Sequence, residues 1–155
     1  IVSRVFGERP AVTVFAQVAR APGQDLAPPL SAHAMVQFEG GLASLSFHGG
    51  TRFDPAESTV VTGRRGTYRS AGPVCANDHV TLATESGKAT LQLEGKWFND
   101  GFTGTMGELL CAIEEDREPE NSARANLRSL QLCFAAVASA DSGRPESPAD
   151  VQAMP

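Results

Sequence analysis

Hydrophobic and polar residues alternate along the first two thirds of the chain, whereas the last third carries apolar residues at helical spacing. Alternation with a period of two predicts half-buried strands. These strands fall at 1–6, 12–18, 31–39, 42–48, 58–62, 67–70 and in a hairpin turning at 86–87. Strands followed by helices favour an α+β fold over alternating βαβ units. We therefore predict an open, predominantly antiparallel β-sheet with two C-terminal helices packed on one face.

Two hairpins carry the strongest local signal. Gly40-Gly41 can form a two-residue turn, because glycine adopts the positive φ that such turns require. In this register Val36 faces Leu45 on a wholly apolar face, and His33 faces His48 on the opposite, polar face. The same reasoning places the second turn at Ser86-Gly87.

The first helix is predicted to begin near Thr105, since Thr105 and Glu108 match a capping box. Its apolar stripe comprises Met106, Leu109, Leu110 and Ile113. The second helix is predicted to run from a cap at Asn121 or Ser122 to Gly143. Its stripe comprises Leu127, Leu130, Phe134 and Val137.

Composition narrows the possible functions. The 155 residues fit one domain, and the net charge of −5 argues against a protein that binds nucleic acid through many phosphate contacts. No apolar run is long enough to span a bilayer.

The three cysteines are too few and too scattered for a disulfide framework, which favours a reducing, cytoplasmic compartment. We expect Cys111 and Cys133 to be buried. Because the first residue is Ile1, we expect the chain to be part of a longer protein or a processed product.

Known catalytic and cofactor motifs do not occur in this sequence. The glycines at 101, 104 and 107 lack the spacing of a dinucleotide-binding loop, and there is no P-loop, nucleophile elbow or H-E-x-x-H motif. We therefore predict no catalytic, cofactor-binding or metal-binding residues in this chain. The pair His33 and His48 could share a metal or a substrate hydroxyl, but a third ligand is missing. The sequence leaves open whether the polar sheet face that carries these histidines contacts solvent, a ligand or another subunit.

Four segments together carry a family resemblance. They are GKWFNDGFTGTMGELLCAIEEDREP at 95–119, NSARANLRSLQLCFAAVASADSGRP at 121–145, FEGGL at 38–42 and VVTGRRGT at 60–67. The combined pattern resembles the C-terminal domain of the Gfo/Idh/MocA oxidoreductases, the relatives of glucose–fructose oxidoreductase and inositol dehydrogenase. The resemblance covers residues 1–145, and 146–155 is interpreted as a tail.

The resemblance implies an N-terminal Rossmann domain that binds NAD or NADP, followed by an open sheet whose exposed face commonly forms a subunit interface. The family's catalytic Lys, Asp and His would precede Ile1, so the resemblance places no catalytic residue and no bound cofactor on this chain. In the loop after the strand that ends at residue 48, it implies substrate-binding roles for His48 and Arg52. Trp97 is implied to form a wall of the substrate cleft.

Two hypotheses follow. In the first, the chain is the substrate-side and oligomerisation domain of an NAD(P)-dependent oxidoreductase that acts on a sugar, polyol or related hydroxy compound. Its partners are then the missing Rossmann domain, a second copy bound through the sheet face, and a small-molecule substrate, with neither nucleic acid nor membrane. In the alternative, the chain is a stand-alone, non-catalytic interaction module that dimerises through its open sheet face.

Overall fold

A computed structural model describes residues 2–76 and 79–151. The described elements, in chain order, are α1 (Val2–Phe6), β1 (Ala11–Ala19), β2 (Ser31–Phe38), β3 (Gly41–His48), β4 (Ala56–Gly63), β5 (Gly66–Pro73), β6 (His79–Thr84), β7 (Gly87–Gln92), α2 (Trp97–Glu114) and α3 (Ala123–Ser142). All strand pairs are antiparallel, which confirms the α+β class. The chain divides into two compact units: the first contains Ile1–Thr51 and Ala123–Pro155, the second Arg52–Ser122.

The strands form two sheets where we predicted one. In the first unit the order is β1-β2-β3, and in the second unit it is β4-β5-β6-β7. Local sequence patterns identify hairpins reliably, because hairpin partners are close in the chain. Local patterns do not indicate whether two neighbouring hairpins belong to one sheet, because the strands that would have to pair are far apart in the chain.

Both predicted hairpins are present, with a small shift of register. In β2 and β3, Val36 pairs with Ala43 and Phe38 with Gly41, so the turn residues are Glu39 and Gly40. In β6 and β7, the turn likewise falls one residue earlier than predicted. Moving the turn by one residue changes each pairing by two positions, and a shift of two keeps every side chain on its predicted face.

The first unit has a closed hydrophobic core on one face of its sheet. Val14, Val36, Phe38 and Ala135 are buried there, and the Phe6 ring stacks on Phe38 with centroids 4.0 Å apart. Phe6 belongs to α1, so the predicted strand at 1–6 is wrong over its described residues; Ile1 lies outside them. Val2 and Phe6 both pack on the core, and their spacing of four residues brings them to one side of a helix.

The outer edge of β1 is sealed by two groups from the C-terminal segment. Val14 and Glu146 exchange backbone N–H···O hydrogen bonds of 2.8 Å in both directions. The amide of Ala16 donates to Ser139 Oγ at 2.9 Å, and this hydroxyl donates to the carbonyl of Arg144 at 2.5 Å. Ser139 is fully buried, so its hydroxyl satisfies an edge amide that would otherwise have no partner. Residues 152–155 of the predicted tail lie outside the described residues.

Helix α2 begins eight residues before the predicted start. Its first turn is closed by Asp100, whose carboxylate accepts a hydrogen bond from the amide of Lys96. The Thr105 hydroxyl donates to the carbonyl of Gly101 at 2.9 Å, a bond made inside a helix, so the predicted capping box is wrong. The match of Thr105 and Glu108 to a capping box placed the predicted start too late, and Gly101 and Gly104 give no helical signal of their own because glycine is a poor helix former.

Helix α3 confirms the predicted end but not the predicted stripe. Gly143 has a φ of +67°, the left-handed conformation typical of the residue that follows a helix. Of the predicted stripe residues, Leu127, Leu130 and Val137 are exposed, whereas Phe134 is half-buried. The sheet is instead contacted by the face that carries Leu132, Ala135, Ala136 and Ser139, because small side chains let the helix approach the strands closely.

The connection between α2 and α3 is held by one arginine. Arg117 donates from Nη1 and Nη2 to the two carboxylate oxygens of Glu108, at 2.7 and 3.1 Å, and from Nε to Glu115 at 2.5 Å. These hydrogen bonds, the one to Glu108 first, raise the pKa of Arg117 above its usual range. Asn121 Nδ2 adds a hydrogen bond of 3.1 Å to the carbonyl of Thr105.

Candidate functional site

His48, the first predicted substrate-binding residue, lies at the end of β3 beside a second histidine. Its ring centroid is 5.2 Å from that of His33, with the ring planes at 68°. In the ladder His33 pairs with Ser46 and His48 pairs with Ser31, so the two imidazoles are diagonal neighbours rather than a directly opposed pair. The predicted proximity of the two rings is confirmed, although the pairing that produces it differs.

Ser46 is a neighbour of both histidines. Its hydroxyl lies 3.1 Å from His48 Nε2, and its backbone is opposite His33. Sequence reasoning did not select Ser46 as a functional residue, although its separation of two from His48 places both side chains on one face of the strand. That period-of-two rule is the signal that could have identified it.

The outer face of the three-stranded sheet has a shallow depression of about 290 Å³ beside these residues. It is lined by Phe15, Gln17, His33, Ala34, Met35, Ser44, Leu45 and Ser46. The side chains thus combine an apolar surface with uncharged or weakly basic groups that can both donate and accept hydrogen bonds. Such a surface suits a small ligand with hydroxyl groups.

Arg52 and Trp97, the other two predicted site residues, belong to the second unit, whereas His48 belongs to the first. Trp97 is the first residue of α2 and is 61% exposed. Its ring meets that of Phe98 edge to face, with centroids 4.9 Å apart, and Phe98 in turn lies 6.4 Å from Phe102. Arg52 is exposed. A shared role of these three residues remains a prediction.

Other chemical groups add little to the site. Cys111 and Cys133 are free and exposed, so the expectation that both are buried is wrong, and Cys75 is free and half-buried. Within residues 2–76 and 79–151, no three His, Cys, Asp or Glu side chains are gathered as around a metal ion. No helix in the same ranges has the length and apolar character needed to cross a bilayer.

Comparison with known proteins gives matches in structure only. No protein-family model matches the chain, and no curated protein is significantly similar in sequence. An oxidoreductase from Agrobacterium radiobacter, solved with NAD+, L-tartaric acid and magnesium, superposes with a TM-score of 0.77 at 15% identity; the match covers 96% of this chain and 46% of that chain.

Two further solved structures extend this likeness. The aldose–aldose oxidoreductase from Caulobacter crescentus, complexed with glycerol, has a TM-score of 0.72 and 16% identity over 94% of this chain and 43% of its own. The WlbA dehydrogenase from Bordetella pertussis, complexed with NADH and UDP-GlcNAcA, has a TM-score of 0.65 and 23% identity over 89% of this chain and 40% of its own. The chain thus spans less than half the length of these structures. The chain therefore has the fold of one portion of these oxidoreductase structures, which confirms the resemblance at the level of the fold alone.

Proposed function

We propose that this chain is the substrate-side and oligomerisation domain, residues 1–145, of a cytoplasmic Gfo/Idh/MocA oxidoreductase. The whole protein would move a hydride between NAD(P) and a sugar, polyol or related hydroxy compound. The observation that supports this proposal is the fold likeness over 96% of this chain to less than half of an oxidoreductase solved with NAD+. The remaining length of such relatives leaves room for a separate nucleotide-binding domain.

The cofactor belongs to that other domain in this proposal. The nicotinamide supplies the hydride chemistry, and the protein around it supplies binding and orientation. The present chain has no glycine-rich dinucleotide loop, and its glycine-containing segment at 101–107 lies inside α2. In this proposal the domain contributes side chains to the substrate, and the other domain binds the nicotinamide.

Three side chains are assigned to the substrate in this proposal. The His48 imidazole and the Arg52 guanidinium donate hydrogen bonds to substrate hydroxyl or carboxylate oxygens. Trp97 provides an exposed aromatic face against which the apolar side of a sugar ring can pack. All three are exposed, so each is available to a ligand.

Calorimetry can test this assignment of roles. NAD+ and NADH are titrated into this 155-residue chain and into the product of the complete reading frame. We expect binding only to the complete product, which should also form NADH in the presence of a suitable polyol or sugar. Tight binding of NADH to the present chain, or a complete reading frame without a nucleotide-binding domain, contradicts the proposal.

Substitutions in the complete protein test the three substrate-binding residues. His48→Ala, Arg52→Ala and Trp97→Ala should each raise KM for the substrate by about tenfold, a loss of roughly 1.4 kcal/mol, with little change in affinity for NAD(H). Arg64→Ala, in the β4–β5 turn, is the matched surface control. Unchanged KM in all three variants would remove them from the site while leaving the oxidoreductase assignment standing.

The four-stranded sheet carries the surface that we assign to self-association. Its register places Tyr68 beside Leu82 and Val80 beside Leu91 on one face. Tyr68, Leu82 and Leu91 are all more than a third exposed, and clustered exposed apolar groups typically mark interaction surfaces. The same surface favours the alternative function, a stand-alone module that dimerises through its sheet without catalysing a reaction.

Light scattering distinguishes these possibilities when combined with the calorimetry. Leu82→Lys should lower the measured mass to that of a monomer, because a charge at the centre of an apolar interface has no partner. Thr81→Lys, on the opposite face of the same strand, is the matched control and should leave the mass unchanged. A wild-type chain that is strictly monomeric contradicts the sheet-face dimer in both functions.

A further inference from the structure

Two imidazole rings lie side by side on the face of the three-stranded sheet opposite its buried core. His33 and His48 are both exposed, and their ring centroids are 5.2 Å apart. They project from neighbouring strands that are joined by an uninterrupted antiparallel ladder. We infer that these two side chains chelate a late first-row divalent cation such as Ni²⁺, Cu²⁺ or Zn²⁺, with water in the remaining coordination positions.

The spacing of the rings carries this inference. An imidazole nitrogen bound to zinc lies about 2.0–2.1 Å from the ion, so two rings that share one ion have to be immediate neighbours. The strand backbone already holds His33 and His48 in that relation. Because both rings are exposed, they can rotate about their side-chain bonds to direct one nitrogen each towards the ion without disturbing the core.

Ser46 is a positioning residue for the site. Its hydroxyl lies 3.1 Å from His48 Nε2. When His48 donates its Nε2 proton to Ser46 Oγ, the lone pair is left on Nδ1, which then becomes the ligand atom. A hydrogen bond from the second ring nitrogen is the usual means by which proteins fix the tautomer and orientation of a metal-binding histidine.

The surroundings set the class of cation. The depression beside the rings is lined by Gln17, Met35, Ser44 and other residues without a carboxylate. Oxygen-preferring ions such as Mg²⁺ and Ca²⁺ therefore lack their usual ligands here. Imidazole suits copper, nickel and zinc, and affinity should be highest for Cu²⁺ according to the general order for divalent metals. The inference does not depend on the proposed oxidoreductase function.

Nickel titration of the full chain tests the site. The protein is first alkylated at its three free cysteines, so that thiolates do not compete for the metal, and then titrated with Ni²⁺ by calorimetry. We expect one Ni²⁺ per chain. His33→Ala and His48→Ala should each weaken binding by about tenfold or more, and Ser46→Ala should weaken it by a smaller factor.

His79→Ala is the matched control, because it removes the third histidine of the chain, which lies in the four-stranded sheet. It should bind nickel as the unsubstituted chain does. Circular dichroism verifies that each variant is folded; positions 33, 46 and 48 are exposed, and His79 is half-buried. Absence of nickel binding, or equal binding by wild type, His33→Ala and His48→Ala, overturns the inference.

Discussion

The two units of the molecule have similar amounts of alternating sequence but different cores. In the first unit Val14 is fully buried and Phe38 is only 4% exposed. In the second unit Leu91 on β7 is 66% exposed and Ile113 on α2 is 68% exposed. The difference lies in what covers each sheet: α3 packs along β1, whereas the apolar stripe of α2 remains open to solvent. An amphipathic pattern thus predicts an element reliably, but it does not show which surface will cover it.

The largest effect that should separate the two units is loss of a core side chain. Phe38→Ala removes a ring stacked on Phe6, so we expect a fall of about 3–5 kcal/mol in the free energy of unfolding. Urea denaturation followed by circular dichroism measures this change. Leu91→Ala, the matched variant in the second unit, should cost less than about 1 kcal/mol because the side chain is exposed. Equal losses would contradict the comparison.

Removing the buried hydroxyl of Ser139 should have an intermediate effect. Ser139→Ala leaves the amide of Ala16 without its partner, at a cost of about 1–3 kcal/mol. Hydrogen exchange of the Ala16 amide should also become faster. Ser44→Ala, an exposed serine on the opposite face of the sheet, is the control and should change neither measurement. An unchanged exchange rate in Ser139→Ala would show that this hydrogen bond does not protect the edge.

Glycines in the two units should respond with opposite signs. Gly104 lies inside α2 with open space around the position of a Cβ atom, so Gly104→Ala should stabilise the second unit by about 0.5–1 kcal/mol. Gly40, in the β2–β3 turn, has a φ of +81°, so Gly40→Ala should destabilise the first unit by about 1–2 kcal/mol. Thermal unfolding of both variants measures the two shifts. Destabilisation by Gly104→Ala would mean that another surface closely approaches α2.

The smallest effect on global stability is expected at Arg117, because its ion pairs are on the surface. Arg117→Ala should instead loosen the segment between α2 and α3 locally. A protease specific for glutamate should then cleave within 115–120 faster than in wild type. Arg64→Ala serves as the control and should be cleaved at the wild-type rate. A large shift of the unfolding midpoint in Arg117→Ala would show that this connection supports a core.

The sequence predicts local features of this fold well. In both hairpins the side chains are assigned to the correct faces of the sheet, because a shift of two positions in the pairing leaves each side chain on the same face. The proximity of His33 and His48 followed from the same rule, as did the end of α3 at Gly143. Each of these features depends on residues that are close in the chain.

Features that depend on distant residues were not predictable in the same way. The start of α2 is a local feature and was nevertheless missed, because the prediction relied on the capping-box match at Thr105 and Glu108. The spacing of Phe98, Phe102 and Met106 continues the apolar stripe towards the N-terminus. The buried face of α3 was missed because its partner favours small side chains such as Ala135 over large ones. The placing of Arg52 and Trp97 depends on tertiary arrangement, which no local pattern encodes.

The discontinuity of the first unit has a consequence for synthesis on the ribosome. Its sheet is complete by Thr51, but α3, which covers that sheet, follows only after the roughly 70 residues of the second unit. At about 5–20 residues per second, about 4–14 s therefore pass between completion of these strands and addition of the first residue of α3. During that interval Val36 and Phe38 form an exposed hydrophobic surface that chaperones can bind. Translational pausing within 52–122 should lengthen the time for which this surface is exposed.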